Sequence, residues 1–218
     1  MADTMVHVQQ LIAARKYEQA AKALDAAISA HPDDPTGYTN FGNLLIAMGD
    51  SRRAVTFFKK ALSLDETNGP ASFGCGNALF ELGRYQEAST CFTDAQQAGI
   101  NDSDLFYMIG RCGLELGRSG QALTAFQRAV ELNGADVEAR FQYALMLAKL
   151  GDLSAAEKQF SAVIRADALH ADAYYNLGVI AAFRDQAEKA RQLFERALKL
   201  NPQHILASNA LKTLDNKR

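Results

Sequence analysis

The sequence predicts an all-α solenoid of tandem helix pairs, and three observations carry the prediction. First, six blocks of 34 residues run from Met1 to His204 without insertion or deletion. Second, three columns stay in register along them. Glycine holds the eighth place (Gly42, Gly76, Gly110 and Gly178, with Ala144 in the fifth block) and the fifteenth (Gly49, Gly83, Gly117 and Gly151). Alanine holds the twentieth (Ala20, Ala54, Ala88, Ala122, Ala156 and Ala190), followed four places later by Leu24, Phe58, Phe92, Phe126, Phe160 or Phe194. Third, each half block carries apolar residues at helical spacing. Such a period marks units that bury an apolar face only by stacking on one another, so the chain is expected to form one elongated array. Its blocks are 1–34, 35–68, 69–102, 103–136, 137–170 and 171–204, and 205–218 follow as a capping helix and tail.

The elements follow block by block. Block one is atypical, with Val8 and Arg15 where later blocks have glycine, as suits a terminal repeat. Block two opens at Asp34-Pro35, a capping oxygen followed by a proline tolerated in the first helical turn. Its first helix carries Tyr38, Phe41, Leu45 and Met48, and its second Ala54, Val55, Phe58, Ala61 and Leu62. Gly49 between them ends the first helix, because glycine enters the left-handed region without a Cβ clash, and Asp50 suits the cap of the second. Blocks three and four open at Asn68-Gly69-Pro70 and Asn101-Asp102-Ser103 and turn at Gly83 and Gly117; Phe106, Ile109 and Leu116 line the first helix of block four. Block five opens at Gly134-Ala135-Asp136, carries Arg140 where a bulky apolar residue is expected, and turns at Gly151-Asp152. Block six opens less distinctly at His170-Ala171-Asp172. Beyond His204, the stretch from Ile205 to Leu214 keeps an apolar face and ends in the polar Asp215-Asn216-Lys217-Arg218. It is expected to shield the last repeat from water. Small residues at places eight and twenty are expected to let paired helices approach while the large ring at place twenty-four fills the space beside them.

Tyr174-x-x-Leu177-Gly178 followed by Ala190, Phe194, Ala197 and Pro202, at this period, resembles the signature of the tetratricopeptide repeat (TPR) family. The resemblance covers about the whole chain. The stretches 104–110 and 170–176 are further similar to small stand-alone six-repeat TPR proteins of Gram-positive bacteria. It implies a right-handed superhelix whose concave wall is built by the first helix of each block, chiefly its second, fifth, ninth, twelfth and thirteenth residues.

On that wall the fifth place reads Met5, Thr39, Phe73, Tyr107, Phe141 and Tyr175, and the ninth reads Gln9, Asn43, Asn77, Arg111, Leu145 and Val179. Four successive rings, with Phe80 at a twelfth place, are candidate anchors for a peptide, and Asn43 and Asn77 are candidate partners for its main chain. Tyr107 and Arg111, one turn apart, are residue types that dominate interface energetics. A second reading stays open beside this one: the rings pack against neighbouring helices, and the two amides bond to them. Glu81, Asp104, Glu115, Glu138 and Asp172 make the wall mostly acidic against Arg111 and Lys149, which favours a basic or apolar-aromatic segment unless these charges form only a solvated face. The carboxylate clamp known from chaperone-binding TPR proteins is absent in the register tested: Asn43 is in place, but Thr39, Gly74, Asp104 and Met108 occupy its other positions.

Composition narrows the function classes. With 23 Lys+Arg against 25 Asp+Glu, a net charge of -2 gives no general attraction to nucleic acid or anionic membrane. The N-terminus lacks a signal-like pattern and no apolar run has membrane-spanning length, so a bacterial cytoplasmic location is expected. Cys75, Cys91 and Cys112 form no CxxC pair and read as small buried thiols. His7, His31, His170 and His204 form no metal or catalytic pattern and read mainly as loop residues. Gly74-Cys75-Gly76 and Gly110-Arg111-Cys112-Gly113 superficially suggest phosphate loops, but both fall inside predicted helices.

The sequence therefore predicts a non-catalytic protein without cofactor or metal, a scaffold holding a peptide or partner segment along a wall from Asn43 to Phe183. The alternative is a structural adaptor that oligomerises, or organises an enzyme complex, through outer or terminal surfaces; the closer resemblance adds RNA-modifying complexes to that second class. Monomer and homodimer are both compatible.

Overall fold

The computed structural model describes residues 2–215, with side chains from Val6 onward; the side chain of Met5 and the end of the polar tail, 216–218, lie outside the described residues. Among the described residues there are thirteen helices and no strand. They are α1 (Ala2–Ala13), α2 (Tyr17–Ala30), α3 (Pro35–Ala47), α4 (Ser51–Leu64), α5 (Gly69–Glu81), α6 (Tyr85–Gln97), α7 (Ser103–Glu115), α8 (Ser119–Leu132), α9 (Val137–Lys149), α10 (Leu153–Ala166), α11 (Ala171–Phe183), α12 (Ala187–Leu200) and α13 (Ile205–Asp215). Two helices fall in each block, as the periodicity predicts, and α13 follows the sixth. The helices gather into two compact units, Met1–Arg118 and Ser119–Arg218.

In the first unit each helix packs on the next in sequence, and the first helices of successive blocks also touch, α3 on α5 and α5 on α7. The contact between paired helices is a ring set against a missing side chain. A Cβ placed on Gly42 would lie 2.6 Å from Phe58, and one on Gly76 would lie 2.5 Å from Phe92. Gly74 presses on Phe58 from the other side, at 2.4 Å from such a Cβ. Phe58 is thus clasped by glycines of two blocks, and neither Phe58 nor Phe92 has any exposed surface. The apparent phosphate-loop glycines of α5 therefore serve close packing. In the second unit Gly178 meets Phe194 in the same way, and Phe160 is likewise fully buried. Complete burial of each ring contributes roughly 2–3 kcal/mol.

Turns inside the blocks follow the glycine column. Gly49, Gly83, Gly117 and Gly151 have φ between +70 and +89° with nothing near their missing side chains, so only conformation demands glycine there. Arg15 and Asp185 hold the same place in blocks one and six and adopt φ of 56 and 57° despite their side chains.

Helix starts carry the expected caps. Asp34, Asn68, Asp102 and Asp136 accept backbone N–H groups of Thr36, Ala71, Leu105 and Ala139 at 2.9–3.0 Å. Asp50 and Asp152 accept from Arg53 and Ala155. Each such cap contributes about 1 kcal/mol. His170 and His204 occupy the same thirty-fourth place, just outside the helices, and the structure adds a capping role to their reading as loop residues. The Nδ1 of each accepts the N–H three residues on, from Ala173 and Ala207 at 3.2 Å, doing with a ring nitrogen what the other blocks do with oxygen. His204 is buried, and its Nε2 faces the Asp172 carboxylate at 3.1 Å. Arg140 also has a local explanation. Its guanidinium donates to the Gly134 carbonyl and to Gln159 Oε1, so it ties the preceding loop to α10 instead of filling a core position.

Candidate functional site

Within the first unit, α3, α5 and α7 border a cleft of about 600 Å³ lined by Ile46, Phe73, Asn77, Glu81, Asp104, Tyr107 and Met108, with Gly49 and Ser51 at one end. Phe73, Asn77 and Glu81 recur four residues apart along α5, hence on one face. Asp104, Tyr107 and Met108 stand likewise on α7. Apolar wall and acidic rim are thus both consequences of helical period.

The side chains differ in how much of them is available. The Phe73 ring is half-buried and tilts on Phe92, centroids 5.8 Å apart, so one face packs and the remainder lines the cleft. Asn77 is half-buried, and its Oδ1 is buried without a hydrogen-bond partner. Glu81 and Asp104 are exposed at the rim. In the last turn of α5, Phe80 is 9 % exposed, edge-on to Tyr85 at 5.2 Å, and covered by the Arg111 guanidinium at 4.9 Å. Arg111 also reaches Tyr107, with Nη1 donating to the phenol oxygen at 3.4 Å and the guanidinium 5.8 Å from the ring centroid. Phe80, Arg111 and Tyr107 form a cation–π stack, and of the three only Tyr107 lines the cleft.

The structure does not bring every predicted residue to this cleft. Asn43 is exposed on α3, and Glu115 on α7; neither lines it. Thr39 is buried and donates to the Pro35 carbonyl. In the second unit the corresponding rings are largely spent on packing. Phe141, 9 % exposed, lies between Phe160 at 5.7 Å and the His170 ring at 4.5 Å. Tyr175 packs on Phe194 at 5.8 Å and His204 at 5.0 Å. Leu145 joins the core of that unit, Glu138 accepts from Gln142, and Asp172 is engaged by His204. Val179 is exposed and borders a separate cavity of about 370 Å³ with Phe194 and Leu214, beside α13, whose Asp215 pairs with Arg191 at 2.5 Å. Phe183 next to it is three-quarters exposed.

Ile46, Ser51 and Met108 line the cleft without having been singled out. Ile46 stands at a twelfth place and was legible from the register; Met108 and Ser51 stand at places the wall pattern leaves out. Among the described residues no three His, Cys, Asp or Glu side chains converge as metal ligands, and no helix is long and apolar enough to cross a membrane.

Comparisons with known proteins bear on the repeat and the fold. One tetratricopeptide-repeat family model matches residues 6–40, 107–167 and 147–205, and a second matches 45–112. Among solved structures the chain is similar to YrrB, described as a TPR protein with an unusual peptide-binding site, at 42% identity over 87% of this chain and 98% of that one, with a TM-score of 0.82. It shares its fold with pilF of Pseudomonas aeruginosa (18% identity, 100% and 97% of the two chains, TM-score 0.83). It does so too with a MamA fragment from Desulfovibrio magneticus RS-1 (20%, 78% and 97%, TM-score 0.71). No curated protein matches the sequence.

Proposed function

The chain belongs to the tetratricopeptide-repeat family, whose fold is one of protein–protein interaction scaffolds, and on that premise we propose that it is non-catalytic and holds an extended segment of a partner protein in the cleft of its first unit. The observation that carries the reading is the open cleft wall that presents Phe73, Asn77, Tyr107 and Met108 beside the acidic Glu81 and Asp104. The rings offer apolar contact to the side chains of such a segment, and the half-buried amide of Asn77 offers a polar contact beside them. Glu81 and Asp104 at the rim select against acidic segments and favour Lys or Arg. The peptide-binding site named for YrrB supports the same reading, since that protein aligns over most of this chain.

The test is a peptide array probed with the whole chain, beside partner capture from lysate. Tyr107→Ala/Arg111→Ala is expected to keep the helical circular-dichroism spectrum and to lose capture, with array binding weakened at least ~30-fold, as for loss of a ~2 kcal/mol hot spot. Unchanged capture by a folded double mutant refutes the reading. So does its unfolding, which would make these residues core.

A further inference from the structure

The second unit carries a groove of its own along α10, about 630 Å³ in volume, lined by Ser154, Glu157, Lys158, Ser161, Arg165 and Arg184. Ser154, Lys158, Ser161 and Arg165 follow one another at helical spacing, so they share one face of α10. The core positions of that helix, Ala156, Phe160 and Val163, lie on the opposite face. Arg184 reaches the groove from the turn before α12: its guanidinium donates to Glu157 Oε2 and, at 3.3 Å, to Ser154 Oγ. Lys189 Nζ, from α12, donates to the other oxygen of the same carboxylate at 3.0 Å. Lys158 and Arg165 are exposed and have no hydrogen bond or ion pair among the described residues. Four cations therefore stand against one carboxylate, in a chain whose net charge is -2. The repeat does not account for them. At the places of Lys158, Arg165 and Arg184 the register holds Thr124, Glu131 and Leu150 one block earlier, and Thr90, Gln97 and Leu116 two blocks earlier.

We propose that this groove is a second docking surface, lined by none of the residues of the first unit's cleft, and that it takes an acidic segment of a partner protein. Lys158 and Arg165 are seven residues apart, about 10 Å along the helix axis, which an extended chain covers in about three residues. Two carboxylates at that interval meet both cations at once. Arg184, held in place by Glu157 and Ser154, keeps further N–H groups for a third acceptor, and the Ser161 hydroxyl between the cations suits the main chain of the segment. A nucleic acid fits less well. No aromatic ring lines the groove to stack a base, and the Glu157 carboxylate within it opposes a continuous run of phosphates. With Glu81 and Asp104 at the rim of the first unit's cleft, the two surfaces select segments of opposite charge. The inference rests on the charge of the groove and is independent of what the cleft binds.

The experiment is fluorescence anisotropy of the whole chain with three labelled probes: a Gly-Ser peptide bearing glutamates three residues apart, the same peptide with glutamines, and a single-stranded oligonucleotide. The expected result is saturable binding of the glutamate peptide alone, weakening at least about tenfold between about 50 and about 300 mM salt as the exposed charges are screened. Lys158→Gln/Arg165→Gln should weaken that binding at least about tenfold and Lys158→Glu/Arg165→Glu should abolish it, with the helical circular-dichroism spectrum unchanged because both side chains are exposed. Tyr107→Ala/Arg111→Ala should leave it intact, so failure of this groove and failure of the peptide cleft are read separately. The proposal is overturned if the glutamate peptide does not bind at low salt, if the glutamine peptide or the oligonucleotide binds as tightly, or if binding survives Lys158→Gln/Arg165→Gln. The comparison of probes on the unaltered chain decides the matter even if a substituted chain fails to fold.

Discussion

Gly76→Ala is the sharpest test of how this fold is packed. A Cβ at residue 76 would lie 2.5, 2.7 and 2.9 Å from three atoms of the Phe92 ring. Carbon atoms in contact prefer about 3.5–4.0 Å, so the ring or α5 must yield by about 1 Å. Phe92 has nowhere to go, being fully buried and packed on Phe73. Overpacking of this kind costs about 1–3 kcal/mol, whereas Gly to Ala inside a helix returns about 1 kcal/mol, so a net loss of up to about 2 kcal/mol is expected. Gly83→Ala is the control. No atom lies within 4 Å of its missing Cβ, but φ is +72°, and the left-handed backbone costs a non-glycine residue about 1–2 kcal/mol. Urea denaturation followed by circular dichroism gives similar losses for the two, and only a second substitution separates them. Phe92→Leu should relieve Gly76→Ala, with a coupling of about 1 kcal/mol in the double-mutant cycle, and leave the cost of Gly83→Ala unaltered. Additivity of Gly76→Ala with Phe92→Leu within about 0.5 kcal/mol would refute the assignment of the eighth-place column to ring packing.

Two further outcomes follow from the same structure. Asp185→Gly, at φ 57° in a turn where other blocks have glycine, should raise the urea midpoint by the equivalent of about 0.5–1 kcal/mol. Glu157 is held below the ordinary carboxylate range by hydrogen bonds from Arg184 and Lys189. Its stabilisation is therefore complete above the unfolded value, near 4.5, and lost as pH falls through the lower folded one. Glu157→Gln should cost about 0.5–1 kcal/mol at pH 7 and nothing once Glu157 is protonated, and an unchanged acid-side slope in pH-dependent melting would count against it.

How far the sequence could be read depended on whether a position acts through its own chemistry or through its surroundings. Glycine at place fifteen and alanine at place twenty act through their own size and backbone freedom, so periodicity was enough to place every helix. The capping role of His170 and His204 was missed because a cap is usually sought as a side-chain oxygen; the signal lay in the register, since place thirty-four otherwise holds Asp34, Asn68, Asp102 and Asp136. An unprotonated Nδ1 is an acceptor of the same reach, and the structure uses it twice. Arg140 escaped for a related cause: its length lets it leave the core position and bond a carbonyl in the preceding loop. The cleft was legible as a set of helix faces, but the partnerless Asn77 oxygen was not, because satisfaction of an amide depends on atoms from several helices at once.

The cap residues also bear on where a ligand can be held. Three fifth-place rings pack on the twenty-fourth-place ring of their own block: Phe73 on Phe92, Phe141 on Phe160, Tyr175 on Phe194. What differs is the residue that closes the block. Block three ends in Asp102, whose short carboxylate turns back to the Leu105 N–H and leaves the Phe73 ring at the cleft wall. Blocks five and six end in His170 and His204, whose imidazoles satisfy the cap and lie against Phe141 and Tyr175 as well. A histidine cap thus covers a ring that an aspartate cap leaves open. The same aromatic column therefore lines an open cleft at Phe73 and is buried at Phe141, and the proposed peptide cleft lies where the caps are short.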